Sequence, residues 1–170
     1  SPLFPYTTLF RSLYNSLSDI VENVNVVEDE NYGYYDITWD VRAEDTTKNP
    51  SATQFDVEIK YIELEPGETF NYDDLATYLS NKTVKDKDGN DYITSKVAYG
   101  TTTTFQTPDD IELKDGYKYY AVVRVKDSRG DENDYSQYMG QEEIKDPDTG
   151  NIIQESIKSY VLLKPKLPTP

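Results

Sequence analysis

An all-β, two-sheet sandwich is the fold class this sequence predicts, and three observations predict it. Apolar and polar residues alternate with period two along much of the chain, as where Tyr35, Ile37, Trp39 and Val41 are set against Asp36, Thr38 and Asp40. Such a run has one dry and one wet face, as a strand of an antiparallel sheet requires. Turn residues separate these runs. The composition is rich in Tyr, Val and Thr and poor in Leu, with 16 Tyr in 170 residues, and broad or branched side chains pack well on a pleated surface. The length suits one domain.

Each element follows in order. Ile20, Val24, Val26 and Val27 mark a first strand region that the Asp29-Glu30-Asn31 turn closes, and Tyr35 to Val41 form the second strand with the only Trp on its dry side. After a polar loop from Glu44 to Asn49, closed by Pro50, Phe55, Val57, Ile59 and Tyr61 alternate with Asp56, Glu58 and Lys60 as a third strand. Asn71 can cap a short helix that puts Leu75, Tyr78 and Leu79 on one face, with Asp74 three positions past the cap. The Asp88-Gly89 step within Lys85 to Ile93 is a hairpin signal, Thr101 to Thr107 is strand-like, and Pro108-Asp109-Asp110 ends it. Tyr117, Tyr119, Ala121, Val123 and Val125 define a long strand that turns at Asp127 to Gly130. A long connection to Ser156 carries a second hairpin signal at Asp146 to Asn151, with Met139, Ile144, Ile152 and Ile153 on the hairpin, so that some of them must pack on the sandwich or on another chain. Tyr160 to Leu163 form the last strand. Residues 165–170 are Pro-rich and read as an extended linker toward a neighbouring domain.

The start reads differently. Leu3 to Ser12 resemble, codon for codon, the translation of a common short-read sequencing adapter, so residues 1–12 are expected to be extraneous to the fold and the domain to span 13–164. On that expectation the reading frame was cut at a fragment edge.

Specific residues carry a family resemblance. Tyr35-Asp36-Ile37-Thr38-Trp39 resembles strand B of a fibronectin type III domain, Phe55 to Ile59 resembles strand C, and Leu113 to Gly130 resembles the E-to-F corner with strand F. In that pattern a Leu stands six residues before a Tyr whose hydroxyl ties back to the backbone, here Leu113 and Tyr119. The resemblance covers about residues 19 to 164 and implies an immunoglobulin-like sandwich with long insertions between strands C and E and between F and G. A jelly-roll carbohydrate-binding module is the alternative fold.

Charge and chemistry narrow the function. With 32 Asp+Glu against 17 Lys+Arg and a net charge of -15, the surface repels nucleic acid. No run approaches the roughly 20 apolar residues of a membrane span, so no membrane insertion is expected. His and Cys are both absent, which removes the commonest general base, the thiol nucleophile, disulfides and Cys/His zinc sites. No Ser-x-x-Lys offers a substitute base, so a non-catalytic module is expected, with no cofactor and no metal. Asp86, Asp88, Asn90 and Asp91 cluster oxygen ligands, but the Gly spacing and the missing Glu break the EF-hand pattern, and a solvated hairpin turn accounts for them. Asp131, Glu132, Asn133 and Asp134 form a similar cluster.

Arg129, Gly130 and Asp131 form an RGD tripeptide just after strand F, where the resemblance places the integrin-binding tripeptide of fibronectin. The same residues also read as flanks of an ordinary Asp-x-x-Gly turn on an acidic loop. Tyr135 and Tyr138 join them as candidate partner-binding residues, and Tyr32, Tyr34, Tyr72, Tyr92 and Tyr99 could stack on sugars or anchor a protein. The expectation is a spacer or adhesion module of a larger secreted, cell-surface or virion protein such as a phage tail or fibre. A carbohydrate- or protein-binding module using the BC loop (Arg42 to Ala52) and the FG connection is the alternative.

Overall fold

The computed structural model describes residues 20–42 and 53–168. The arm at 1–12, the rest of the chain up to residue 19 and all but Arg42 of the BC loop lie outside the described residues.

Alternation decides which face of each strand is buried. In β1 (Val21–Glu28) and β2 (Tyr34–Val41), Val24, Val26, Tyr35, Ile37 and Trp39 turn inward while Glu22, Thr38 and Asp40 meet water. These strands pair antiparallel, and β2 pairs in turn with β5 (Thr102–Gln106), giving the sheet order β1-β2-β5. A bulge between Glu22 and Asn25 interrupts the β1 register, with Asn23 at φ 56 and its side-chain amide donating to Asp40 at 3.0 Å.

The second sheet is antiparallel in the order β11-β6-β3-β4, built from β3 (Phe55–Leu64), β4 (Ile93–Ala98), β6 (Lys118–Asp127) and β11 (Tyr160–Leu162). Its inner face offers Phe55, Val57, Ile59 and Tyr61 from β3 with Tyr119, Ala121, Val123 and Val125 from β6. These pack with Tyr35, Ile37 and Trp39 in one buried cluster shared by the two sheets, a sandwich-like all-β body. Trp39 meets Phe55 edge-on at 5.6 Å, and Tyr35 stacks on Phe105 at 5.2 Å. Burial of each such side chain contributes roughly 1.5–3 kcal/mol.

A second cluster lies on the outer face of the four-stranded sheet. Ile62, Leu64 and Val122 interrupt the wet side of β3 and β6, and α1 (Leu75–Asn81) covers them with Leu75 and Tyr78. The expected cap is present one turn earlier, where the Asn71 side chain accepts from the Asp73 amide at 3.0 Å and starts a 3-10 turn leading into α1. Phe70 lies between Tyr120 at 4.1 Å and Tyr160 at 4.8 Å, and Tyr72 stacks on Tyr160 at 5.6 Å.

Two sequence expectations are refined. The insertion after the third strand contains a further strand, β4, so the extra helix and turn fall between β3 and β4. The last strand, Tyr160 to Leu162, pairs directly with β6. The start of the Pro-rich tail lies against the body: the Lys164 amide donates to the Tyr35 hydroxyl at 2.8 Å, the Tyr32 hydroxyl to the Pro165 carbonyl at 2.6 Å, and Lys166 Nζ to the Asp109 and Ile111 carbonyls.

Candidate functional site

The connection from β6 to β11 holds Arg129, Gly130, Asp131, Tyr135 and Tyr138, and it is built in three stages. The first is the turn at Asp127 to Gly130. The Gly130 amide closes it on the Asp127 carbonyl at 2.8 Å, and the buried Asp127 carboxylate accepts from the Arg129 amide and Nε, each at 3.0 Å. Asp131 then caps a short 3-10 helix (Glu132–Asp134), accepting from the Asn133 amide at 2.9 Å while its own amide donates to Asp134 at 2.7 Å. In the RGD tripeptide, therefore, the guanidinium is drawn back onto Asp127 and the carboxylate is held by the helix cap. Gly130 gives its carbonyl to Lys126 Nζ at 2.9 Å.

The second stage fastens the connection to the sheet. The Ser136 amide donates to the Val125 carbonyl at 2.8 Å and Ser136 Oγ accepts from the Val125 amide at 3.0 Å, continuing the ladder beside β6. The Tyr135 ring lies 4.1 Å from the Arg124 guanidinium, which forks onto Glu58 at 2.6 and 2.9 Å. The Tyr138 carbonyl accepts from the Tyr72 hydroxyl, and its ring packs with the outer-face cluster. Burial pushes the Tyr135 and Tyr138 phenols up to about 12, so both remain protonated at neutral pH. Both tyrosines are parts of the fold's own packing.

The third stage is a ribbon. Strand β7 (Gly140–Gln141) pairs with β10 (Ile157–Lys158), and beyond them β8 (Ile144–Lys145) pairs with β9 (Ile152–Gln154). The predicted turn forms: the Asp146 amide donates to the Asn151 carbonyl at 2.7 Å, the Asp146 carboxylate accepts from the Asp148 amide at 2.8 Å, and Gly150 sits at φ 73. The root is anchored where the Lys158 amide donates to Asn25 of β1 at 2.9 Å. Met139 is half-buried and lines a cleft of ≈ 360 Å³ with Val21, Asn23, Arg42 and Tyr138. Ile144, Ile152 and Ile153 instead face solvent, at 49, 46 and 66 % exposure. Ile152 and Ile153 are consecutive on β9 and so point to opposite faces of the ribbon.

Most of the loop tyrosines are engaged elsewhere. Tyr32 lies under Lys164 Nζ at 5.0 Å, Tyr72 stacks in the outer cluster, and the Tyr92 ring meets Tyr61 at 5.8 Å while its hydroxyl donates to Asp110. Tyr34 is 38 % exposed and Tyr99 79 %. At the Asp88-Gly89 turn, Asp86 accepts from the Asp88 and Asn90 amides at 2.9 and 3.0 Å, and Asp91 holds Thr83, Lys85 and Lys60.

Sequence reading did not find the outer aromatic cluster, although the apolar intrusion of Ile62, Leu64 and Val122 on the wet sides of two strands was its signal. In comparisons with known proteins, no family model, no curated protein and no solved structure matches this chain.

Proposed function

We propose that this chain is a non-catalytic module with a fibronectin type III-like sandwich, part of a larger secreted, cell-surface or virion protein, and that it meets a protein partner through the β7–β10 ribbon. Three features support the type III-like reading. The strand orders β1-β2-β5 and β11-β6-β3-β4 correspond to sheets A-B-E and G-F-C-C′. Trp39 is buried, and the Tyr119 hydroxyl accepts from the Lys114 amide at 3.1 Å, the tie expected of the corner tyrosine. Leu113 packs against the same core.

The observation that carries the binding role is the exposure of Ile144, Ile152 and Ile153 on an ordered ribbon, while Arg129, Asp131, Tyr135 and Tyr138 serve internal contacts. Recognition falls to a loop held by a rigid scaffold. A protein partner suits this apolar surface better than a glycan, which would call for exposed ring faces or polar pockets.

The test removes the ribbon alone. Excising Glu142 to Glu155 and joining Gln141 to Ser156 through two glycines spares the Ser136 ladder and the β7–β10 pair. The full-length protein should then keep its melting transition and lose its partner. Unchanged binding would discard the reading.

A further inference from the structure

We propose that the tip of the ribbon binds an extended, cationic and apolar segment of a partner protein, which adds as a third strand beside β8 or β9. The inference rests on the ribbon being the partner-binding element and names the chemistry of what it binds.

Three observations converge on that occupant. First, β8 and β9 form a two-stranded sheet, so among the described residues each has one edge without a strand partner. Unpaired amides and carbonyls along such an edge are a template for strand addition. Second, the exposed Ile144, Ile152 and Ile153 supply apolar side chains beside that edge, with Ile152 and Ile153 on opposite faces of the ribbon. An isolated two-stranded ribbon is marginal in water, and a third strand with an apolar face is what stabilises one.

Third, charge selects the partner. Along the chain, Glu142, Glu143, Asp146, Asp148 and Glu155 flank the isoleucines, against Lys145 alone within residues 141–155. Glu142 is shared with Lys158 at 2.9 Å and Glu143 with Lys145 at 3.6 Å, whereas Asp148 and Glu155 stand exposed. A second copy of this chain would bring the same acidic rim and a net charge of -15 to the contact, and an anionic lipid surface would be repelled in the same way. A strand alternating Lys or Arg with Val, Ile or Leu satisfies edge, anchors and rim together.

The experiment uses the 170-residue chain, isotope-labelled for NMR, and three capped octapeptides of strict alternation: Lys with Val, Lys with Ser, and Glu with Val. The variant carries Ile144→Ser, Ile152→Ser and Ile153→Ser together. Its charge is identical to that of the parent, and its core resonances report whether the sandwich is intact. The Lys/Val peptide is expected to bind saturably, to shift amides of β8 and β9, and to weaken at least about tenfold on the triple variant and in high salt. The other two peptides should bind at least about tenfold more weakly than Lys/Val.

Equal binding of Lys/Val to parent and variant would reduce the effect to diffuse attraction and overturn the proposal. Equal binding of Glu/Val would remove the charge preference and overturn it too. Self-association through the ribbon in sedimentation, lost on the triple variant, would replace the occupant by a second copy. If ribbon excision abolishes partner binding while the parent refuses Lys/Val, the ribbon reading stands and this one falls.

Discussion

Tyr119 joins three parts of the molecule at one hydroxyl. It accepts from the Lys114 amide at 3.1 Å and donates to Glu63 at 2.7 Å, tying the turn before β6 to the end of β3. Tyr119→Phe keeps the ring and removes both bonds, so a loss of about 1–2 kcal/mol is expected in urea unfolding. A loss below about 0.3 kcal/mol would show that the corner is dispensable. The phenol is also pushed up to about 12, first by burial, and Tyr92, Tyr135 and Tyr138 reach about 12 for the same leading reason. Each holds its proton more tightly folded than unfolded, where a phenol titrates near 10. Their contribution is therefore complete below pH 10 and declines as pH rises toward 12. Melts across that window, read beside tyrosinate absorbance, should show Tm falling where absorbance rises, and a level Tm would contradict it. Asp91 works in the other direction. Its hydrogen bond with Lys85 leads, followed by that with Thr83, in holding the carboxyl down to about 2. Stability linked to it is present above the ordinary value of 3.8 and is lost as pH falls through 2. Asp91→Asn should cost about 0.5–1 kcal/mol at neutral pH, discounted for solvent access, and should flatten the acid side of the stability profile.

At the scale of elements, close approach and open edges set the constraints. A Cβ on Gly140 would stand 2.7 Å from the Tyr72 ring, which is itself stacked on Tyr160. Gly140→Ala should therefore push Tyr72 off Tyr160 and cost about 1–3 kcal/mol, with near-UV circular dichroism reporting the ring shift. Stability unchanged by the substitution would mean that the ribbon root slides freely over the helix side. Strand β4 poses the opposite problem, because it ends the four-stranded sheet with Ile93 and Val97 exposed. Lys96 lies opposite Val57, on the inner face of that edge, and its Nζ donates to the Thr104 carbonyl of β5 across the open side of the sandwich. A charge pointing inward at an edge discourages another strand from adding. Lys96→Val is expected to give concentration-dependent association in sedimentation that the parent lacks. The strands were legible because β2, β3 and β6 each have one face in the shared core, which the period-two pattern records directly. The Asn71 cap and the Asp146 to Asn151 turn were legible for local reasons as well. Strand β4 was not, since its exposed face carries Ile93 and Val97 and its pattern reverses the usual inside-out order. Nor could alternation reveal that Ile144, Ile152 and Ile153 stay in water, or that Arg129 and Asp131, both exposed, also bond to Asp127 and to the helix cap. Those outcomes depend on partners remote in sequence or on the geometry of a single turn.

Across the whole molecule, one sign of charge predominates, and its effect can be separated from that of any bound cation. A net charge of -15 on 170 residues makes the folded state repel itself. Salt weakens this repulsion, but it also weakens the more exposed ion pairs, such as Lys145–Glu143 and Lys158–Glu142. Exposed pairs are worth about 0–1 kcal/mol each before screening. The inner pairs, with Arg124 forked on Glu58 and Lys126 on Asp56, are more sheltered and change less. Relief of repulsion among the surplus carboxylates should therefore prevail. Raising NaCl from about 0.01 to 0.15 M should increase Tm by roughly 2–4 °C, the shift that about 1 kcal/mol produces in a chain of this length. At matched ionic strength CaCl₂ should add little beyond NaCl. In the acidic turn at Asp86 to Asp91 the Asp86 carboxylate accepts from the turn's own amides and the Asp91 carboxylate holds Lys85, Lys60 and Thr83, and in the Asp131 to Asp134 turn Asp131 and Asp134 form a helix cap. A cation at either place would have to displace those bonds to collect oxygen ligands. A saturable, calcium-specific rise in Tm that Asp88→Ala abolishes would show that one turn does rearrange around an ion. A fall in Tm with NaCl would show instead that ion pairs, not surplus charge, govern the stability of this sandwich.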